Sequence, residues 1–144
     1  MSKSSPSPLS RGGKLLIAMV IIAAAGAVIW SQLPRGGYST DLSVIGQGRP
    51  ALVLAYDQVY VGGTEVMDHM NRVRASYADR MEFVVADMGT AEGRNFVQRH
   101  EVRDGAVLLF DADGVRQGTI NQPRSPEELQ RAIDGALSGS MPGR

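Results

Sequence analysis

The sequence predicts an α/β domain, with a central mixed sheet of about four strands and flanking helices, preceded by one N-terminal transmembrane helix. Three observations carry this. Short apolar runs bounded by turn residues alternate with segments whose apolar residues recur at three- and four-residue spacing, the signatures of buried strands and of amphipathic helices. Asp113-Gly114 separates the last two such runs, which is a strong hairpin signal. The run from Leu15 to Leu33 carries no charge at all.

Taken in order, Met1 to Lys14 is rich in Ser, Pro and Gly, carries Lys3, Arg11 and Lys14, and has no apolar periodicity, so it reads as a disordered tail. Residues 15–33, LLIAMVIIAAAGAVIWSQL, follow; at about 1.5 Å per residue a helix of this length comes close to spanning a hydrocarbon core of about 30 Å. Leu15, Ile17, Val20, Ile22, Gly26 and Val28 belong to this expected anchor, Trp30 sits near its far end where an aromatic ring prefers the interface, and Pro34 marks the exit. The cationic flank is N-terminal, so the positive-inside rule keeps the tail in the cytoplasm and exports the rest. A signal peptide cleaved near Ala25-Gly26-Ala27 is the competing reading, but hydrophobicity continues through Val28, Ile29 and Trp30. A buried helix is disfavoured because too little apolar chain remains to surround it.

Residues 34–48 contain Gly36-Gly37, Gly46 and Gly48 with a weak apolar patch at Leu42, Val44 and Ile45, and read as a linker that becomes a short first element. Ala51 to Tyr56 is a buried strand. It leads through Asp57, Gln58 and Gly62-Gly63 into a helix whose Val66, Met67, Met70, Val73 and Tyr77 share one face. Met81 to Asp87 is a second buried strand. Thr90 caps a short helix to about His100, with Phe96, Val97 and His100 on one face. Ala106 to Asp111 and Val115 to Ile120 are the strands of the hairpin. Ser125-Pro126-Glu127-Glu128 supplies an N-cap, a first-turn proline and a capping-box glutamate for a helix to Leu137, with Leu129, Ala132, Ile133 and Ala136 toward the core. Residues 138–144 read as a frayed tail.

Composition removes whole classes of function. Lys plus Arg equals Asp plus Glu at 15 each, so no global field draws the chain to nucleic acid. The absence of cysteine excludes disulfides, thiolate metal sites and thiol redox chemistry carried by this chain alone. With His69 and His100 as the two imidazoles, a histidine-rich metal site is not expected, and no metal or cofactor is.

The sequence VVADMGTAEGRNFVQRHEVRDGAVLLFDADGVRQG, Val84 to Gly118, together with the order strand, helix, strand, helix, hairpin, helix, resembles the thioredoxin-like family. The resemblance covers about Leu42 to Leu137 and implies a three-layer thioredoxin-like domain over residues 49–137. It implies further that the position of the redox Cys-x-x-Cys is Tyr60-Val61-Gly62-Gly63, with Tyr60 in place of the attacking cysteine and Gly63 of the resolving one. By the same likeness, Leu54 stands where such enzymes bury a carboxylate, and Gly105 stands where they carry a cis-proline; no proline lies between Pro50 and Pro123. A thiolate is the obligatory nucleophile of thiol exchange, so the expected domain is not an oxidoreductase.

The other constellations have bland explanations that outweigh sharper ones. Asp57, Glu65, Asp68 and His69 are titratable residues near the presumed site. Asp68 and His69 point about 100 degrees apart on a helix, however, and a solvated surface is the simpler reading. Gly62-Gly63-Thr64 lacks a phosphate-loop pattern. His100 reads as a partly buried, hydrogen-bonded residue, Met67, Met70 and Met81 as core filling, and Asp111-Ala112-Asp113-Gly114 as a turn rather than a calcium loop.

The expected function is therefore an interaction, assembly or accessory subunit of a membrane complex. It would be single-pass in a bacterial inner membrane, with the domain periplasmic and Tyr60, Arg103 and Asp104 meeting the partner. The partners expected are membrane subunits, among them a cysteine-bearing oxidoreductase, with the bilayer contacted through one helix and no nucleic acid bound. The alternative is an enzyme or small-ligand binder that uses the same groove with Tyr60, Asp57 and His69.

Overall fold

The computed structural model describes residues 10–32 and 37–139. The expected tails over residues 1–9 and 140–144, and the exit at Leu33 and Pro34, lie outside the described residues. The chain divides into two compact units between Gly37 and Tyr38.

The first unit is α1 (Arg11–Gln32). It starts before the apolar run because Ser10 closes the first turn: its carbonyl accepts the Lys14 N–H at 3.1 Å and its hydroxyl the Gly13 N–H at 3.3 Å. Arg11 to Lys14 are thus helical rather than part of a tail. Leu15, Ile17, Val20 and Ile22 are exposed, and an added Cβ on Gly26 would meet nothing. The side chains of Val28 and Trp30 lie outside those described. Among the described residues no helix is long and apolar enough to cross a membrane. The expected span from Leu15 to Leu33 is therefore not found among the described residues.

The second unit holds β1 (Ala51–Tyr56), α2 (Val61–Tyr77), β2 (Glu82–Asp87), α3 (Ala91–His100), β3 (Ala106–Phe110), β4 (Arg116–Asn121) and α4 (Pro126–Leu137). The sheet has the order β2-β1-β3-β4, with β1 parallel to β2 and antiparallel to β3, and β3 antiparallel to β4 as the Asp-Gly hairpin predicts. Strand alternation sorts side chains into two cores. Leu52, Leu54, Phe83, Val85, Val107 and Leu109 face α2 and α4, where Val66, Met70, Val73, Leu129 and Ile133 pack on them. Ala51, Val53, Val84, Ala86, Leu108 and Phe110 face Phe96 of α3 and the turn at Leu42–Val44. Both faces are covered, which explains why β1 and β3 read as unbroken apolar runs.

The caps follow the sequence with one change. Thr90 accepts the Gly93 N–H at 3.0 Å and Ser125 the Glu128 N–H at 3.2 Å. Glu128, however, reaches back past Ser125 to the Arg124 N–H at 2.8 Å. The hairpin turn is closed by Asp111, whose carboxylate accepts the Asp113 and Val115 N–H groups, each at 2.9 Å, so the turn reading of that segment holds.

The segment read as a linker is docked along part of its length. Ser39 forms a parallel bridge with Val84 at the outer side of β2, and its carbonyl accepts the Val85 N–H at 2.9 Å. Tyr38 packs against the core, donates to Asn71 Oδ1 at 2.7 Å, and lies under the Arg74 guanidinium at 4.6 Å. Burial raises the Tyr38 phenol above its ordinary pKa, against the lowering effect of Arg74.

Candidate functional site

The C-terminal end of β1 points into a cleft of about 600 Å³ lined by Asp57, Tyr60, Val61, Gly62, Met88, Val97, Val102, Arg103, Asp104 and Gln122. Its position follows from the sheet order, since the loops after β1 and β2 and the loop before β3 converge at one edge. The lining is apolar through Met88, Val97, Val102, Tyr60 and Val61 and polar through Asp57, Arg103, Asp104 and Gln122.

One side chain organises this edge. Asp104 Oδ1 accepts the Asp57 N–H at 2.9 Å, and its Oδ2 accepts the Gly63 N–H at 2.8 Å. The N-cap of α2 is Tyr60, which makes no side-chain cap of its own, so the Asp104 carboxylate takes that role from a distant loop. A negative group at the N-terminal end of a helix is also favoured by the helix dipole. Asp104 reaches this place because Gly105, at φ +82°, turns the chain. The Gly105 N–H donates to the Ala55 carbonyl at 2.9 Å, and its own carbonyl accepts the Gln122 N–H at 3.1 Å. Gln122 itself holds φ +48°, an uncommon conformation for a residue with a side chain.

The glycine pair is not a loop. Gly62 and Gly63 lie in the first turn of α2, and a Cβ on Gly63 would overlap Asp104 Oδ1 and come within 2.8 Å of the Tyr56 ring. A Cβ on Gly62 would overlap the Gln122 amide. The absent side chains are room for the carboxylate and the amide, not slack in the backbone.

Of the residues singled out by sequence, Asp57, Tyr60, Val61, Gly62, Arg103 and Asp104 line the cleft, and Gly63 and Gly105 lie against its Asp104 and Gln122 side chains. Leu54 is fully buried in the core beneath. Asp104 belongs to the fold's own bonding rather than standing free for a partner. Val59, Tyr60 and Val61 form the exposed ridge, at 82%, 62% and 70% exposure. Asp57 is occupied locally: its Oδ1 accepts the Val59 N–H at 3.0 Å, and its carbonyl accepts the Tyr60 N–H at 3.2 Å.

His69 does not line the cleft with Tyr60 and Asp57. It is half-buried on α2, with its Nδ1 shielded from solvent and without a hydrogen-bond partner, which the solvated-surface reading did not foresee. His100 lines a separate cleft of about 480 Å³ with Leu42, Phe96 and Phe110. Its ring lies 4.4 Å from Phe96 and 5.5 Å from Phe110, centroid to centroid. Aromatic packing replaces the side-chain hydrogen bond expected of it. Burial lowers its pKa, and Arg116 and Arg99 lower it further.

Sequence reasoning did not assign Met88, Val97, Val102 and Gln122 to the site. Val97 carried a signal as an apolar position on α3, and Met88 as an apolar residue just past a strand. Nothing local marks Gln122. Among the described residues, no group of three or more His, Asp or Glu side chains stands together to hold a metal ion.

No family model matches the chain, and no curated protein matches it. Solved structures do. Thioredoxin O2 from Arabidopsis thaliana in its oxidized state is 13% identical with a TM-score of 0.53, over 64% of this chain and 82% of that one. A chain in the structure describing the thiol resolving mechanism of yeast mitochondrial 1-Cys peroxiredoxin via glutathione/thioredoxin systems is 21% identical with a TM-score of 0.57. That match covers 68% of this chain and 94% of the other. At these identities the likeness shows the fold alone: the chain has a thioredoxin-like α/β fold and contains no cysteine.

Proposed function

We propose that this chain is a membrane-anchored, redox-inactive thioredoxin-like protein that serves as an interaction or accessory subunit of a membrane protein complex. The observation that carries the reading is the ridge Val59-Tyr60-Val61, three adjacent exposed apolar residues at the rim of a cleft that holds no thiol. Large apolar side chains are rarely spent on solvent in a row, and a tyrosine held by its backbone offers contact area with little rotamer entropy to lose. The two hydrogen bonds to Asp104 hold the loop that bears them.

Anchoring is supported by the charge-free run Leu15 to Leu33 and by the exposed Leu15, Ile17, Val20 and Ile22 on α1. The basic residues before the run favour a cytoplasmic N-terminus and an exported domain in a bacterial inner membrane. Confinement beside the bilayer raises the domain's effective concentration for membrane partners. A partner bearing a cysteine would bring the chemistry that this chain lacks.

The test is purification of the full-length protein from native membranes in mild detergent, with the accompanying proteins identified by mass spectrometry. A reproducible stoichiometric set of membrane subunits is expected. A protein that emerges alone and monomeric would sink the reading.

A further inference from the structure

β2 is the outermost strand on one side of the sheet, and its outer side is not bare. The Glu82 and Met88 N–H groups donate inward, to the Pro50 and Tyr56 carbonyls at 2.8 and 2.9 Å. By the alternation of a strand's amides, Val84 also faces β1 and Val85 faces out. Val85 finds its acceptor in the Ser39 carbonyl at 2.9 Å, and Ser39 pairs with Val84 as an isolated bridge. The neighbouring Tyr38 holds it there. Its ring packs on the core 6.5 Å from the Phe83 ring with the Arg74 guanidinium over it at 4.6 Å, and its hydroxyl donates to Asn71 Oδ1 at 2.7 Å. None of Tyr38, Asn71, Arg74 and Phe83 lines the cleft at the end of β1.

We propose that Tyr38-Ser39 is an autoinhibitory strap: from within the chain it fills a seat on the outer side of β2 that otherwise takes an extended partner segment bearing a tyrosine followed by a small residue. The chemistry of the occupant is read from the example of it that the seat holds. The seat has two parts, a slot for a ring with a hydroxyl at its tip and an outward N–H on a strand edge, and adjacent residues of the strap fill them. Strand addition to a sheet edge draws affinity from main-chain hydrogen bonds and specificity from side-chain pockets, and both are present. The strap meets the edge at a single bridge, whereas a longer extended segment pairs along more of β2. That surplus is what lets a rival displace a segment held in cis at high effective concentration.

The test uses the full-length protein in detergent, labelled with nitrogen-15 valine, as wild type, Tyr38→Ala and Tyr38→Phe. Amide exchange is measured first, and a synthetic peptide of residues 36–41, GGYSTD, is then titrated in. In Tyr38→Ala the Val85 amide should exchange about tenfold faster or more, while Val84, which faces β1, keeps its protection. The peptide should shift the Val85 signal saturably in this variant, about tenfold more tightly than in wild type, where the strap competes at an effective concentration of the order of 1 mM. The same peptide carrying Tyr38→Ala should bind neither protein. Equal binding by wild type and variant, binding by neither, or binding that survives loss of the peptide's tyrosine would each overturn the proposal. So would Val84 and Val85 losing protection together, which is what a merely structural Tyr38 predicts, or Val85 staying protected. If Tyr38→Ala does not fold, Tyr38→Phe, which keeps the ring and loses the bond to Asn71, carries the comparison: it should bind the peptide more tightly than wild type does, and equal binding overturns the proposal. The peptide needs no membrane complex, so a chain that purifies alone from membranes defeats the accessory-subunit reading and leaves this result standing on its own.

Discussion

Gly93 lies so close to the backbone of Asp87 that no β-carbon fits between them: a Cβ there would overlap the Asp87 carbonyl and stand 2.9 Å from its nitrogen. This contact seats the first turn of α3 on the end of β2, next to the cleft. Helix propensity alone would favour Gly93→Ala by about 1 kcal/mol. Overpacking against backbone that cannot swing aside costs about 1–3 kcal/mol or more, so the steric term wins. Urea denaturation should show a lower midpoint for Gly93→Ala with an unchanged slope; an equal or higher midpoint would refute the contact.

Gly63→Ala poses the same contest at α2. The gain of about 1 kcal/mol in propensity is set against displacement of Asp104, whose loss leaves two backbone amides without their acceptor at about 1–3 kcal/mol each where they are shut off from water. Net destabilisation is expected, and it should shrink in the Asp104→Ala background, where the overlap with the carboxylate is gone and only the 2.8 Å approach to the Tyr56 ring remains. A double-mutant cycle measures this directly, and additive effects would argue against the contact.

Tyr60 is 62% exposed and makes no side-chain cap, so Tyr60→Ala should leave the unfolding free energy within about 0.5 kcal/mol of wild type. Loss of a central aromatic anchor costs a complex about 2 kcal/mol or more, roughly 30-fold in affinity. Retention of co-purifying subunits should fall by that order while the domain stays folded. Unchanged retention would remove Tyr60 from the interface.

His100 predicts a pH dependence. Its folded pKa lies below its ordinary value of 6.5, chiefly through burial. Below 6.5 the unfolded chain therefore binds more protons than the folded one. The contribution is present above 6.5 and is lost as pH falls through the lowered folded value. Unfolding measured from about pH 7.5 down to about pH 5.5 should show falling stability, and His100→Phe, which keeps a ring beside Phe96 and Phe110, should flatten the slope. A slope unaltered by the substitution would place the effect elsewhere.

Anchoring has its own check. Full-length protein should remain with membranes through an alkaline wash, while a chain starting at Tyr38, where the second compact unit begins, should be recovered in the soluble fraction. Release of the full-length protein by the wash would contradict the anchor.

Much of the fold was legible because its signals are local. β1 and β3 announce themselves as apolar runs bounded by turn residues, Thr90 and Ser125 as caps, and Asp113-Gly114 as a hairpin. The site was legible only in position. Gly62-Gly63 reads as a loop by every local rule. The group that caps this helix start is the carboxylate of Asp104, far along the chain, which no window of sequence brings near. The same holds for Gln122, which reaches Gly62 through the pairing of β4 with β3. His69 was misjudged because helical spacing fixes direction and not what neighbouring elements cover. Ser39 carries no strand signal of its own and pairs because β2 offers an open side.

That bridge at Ser39 has a consequence for how copies of this protein coexist. An uncovered strand at the rim of a sheet is a template for any like strand it meets. By laying Ser39 along β2 at Val84, the chain occupies one position of that edge and shortens the run of open backbone that a second copy could pair with.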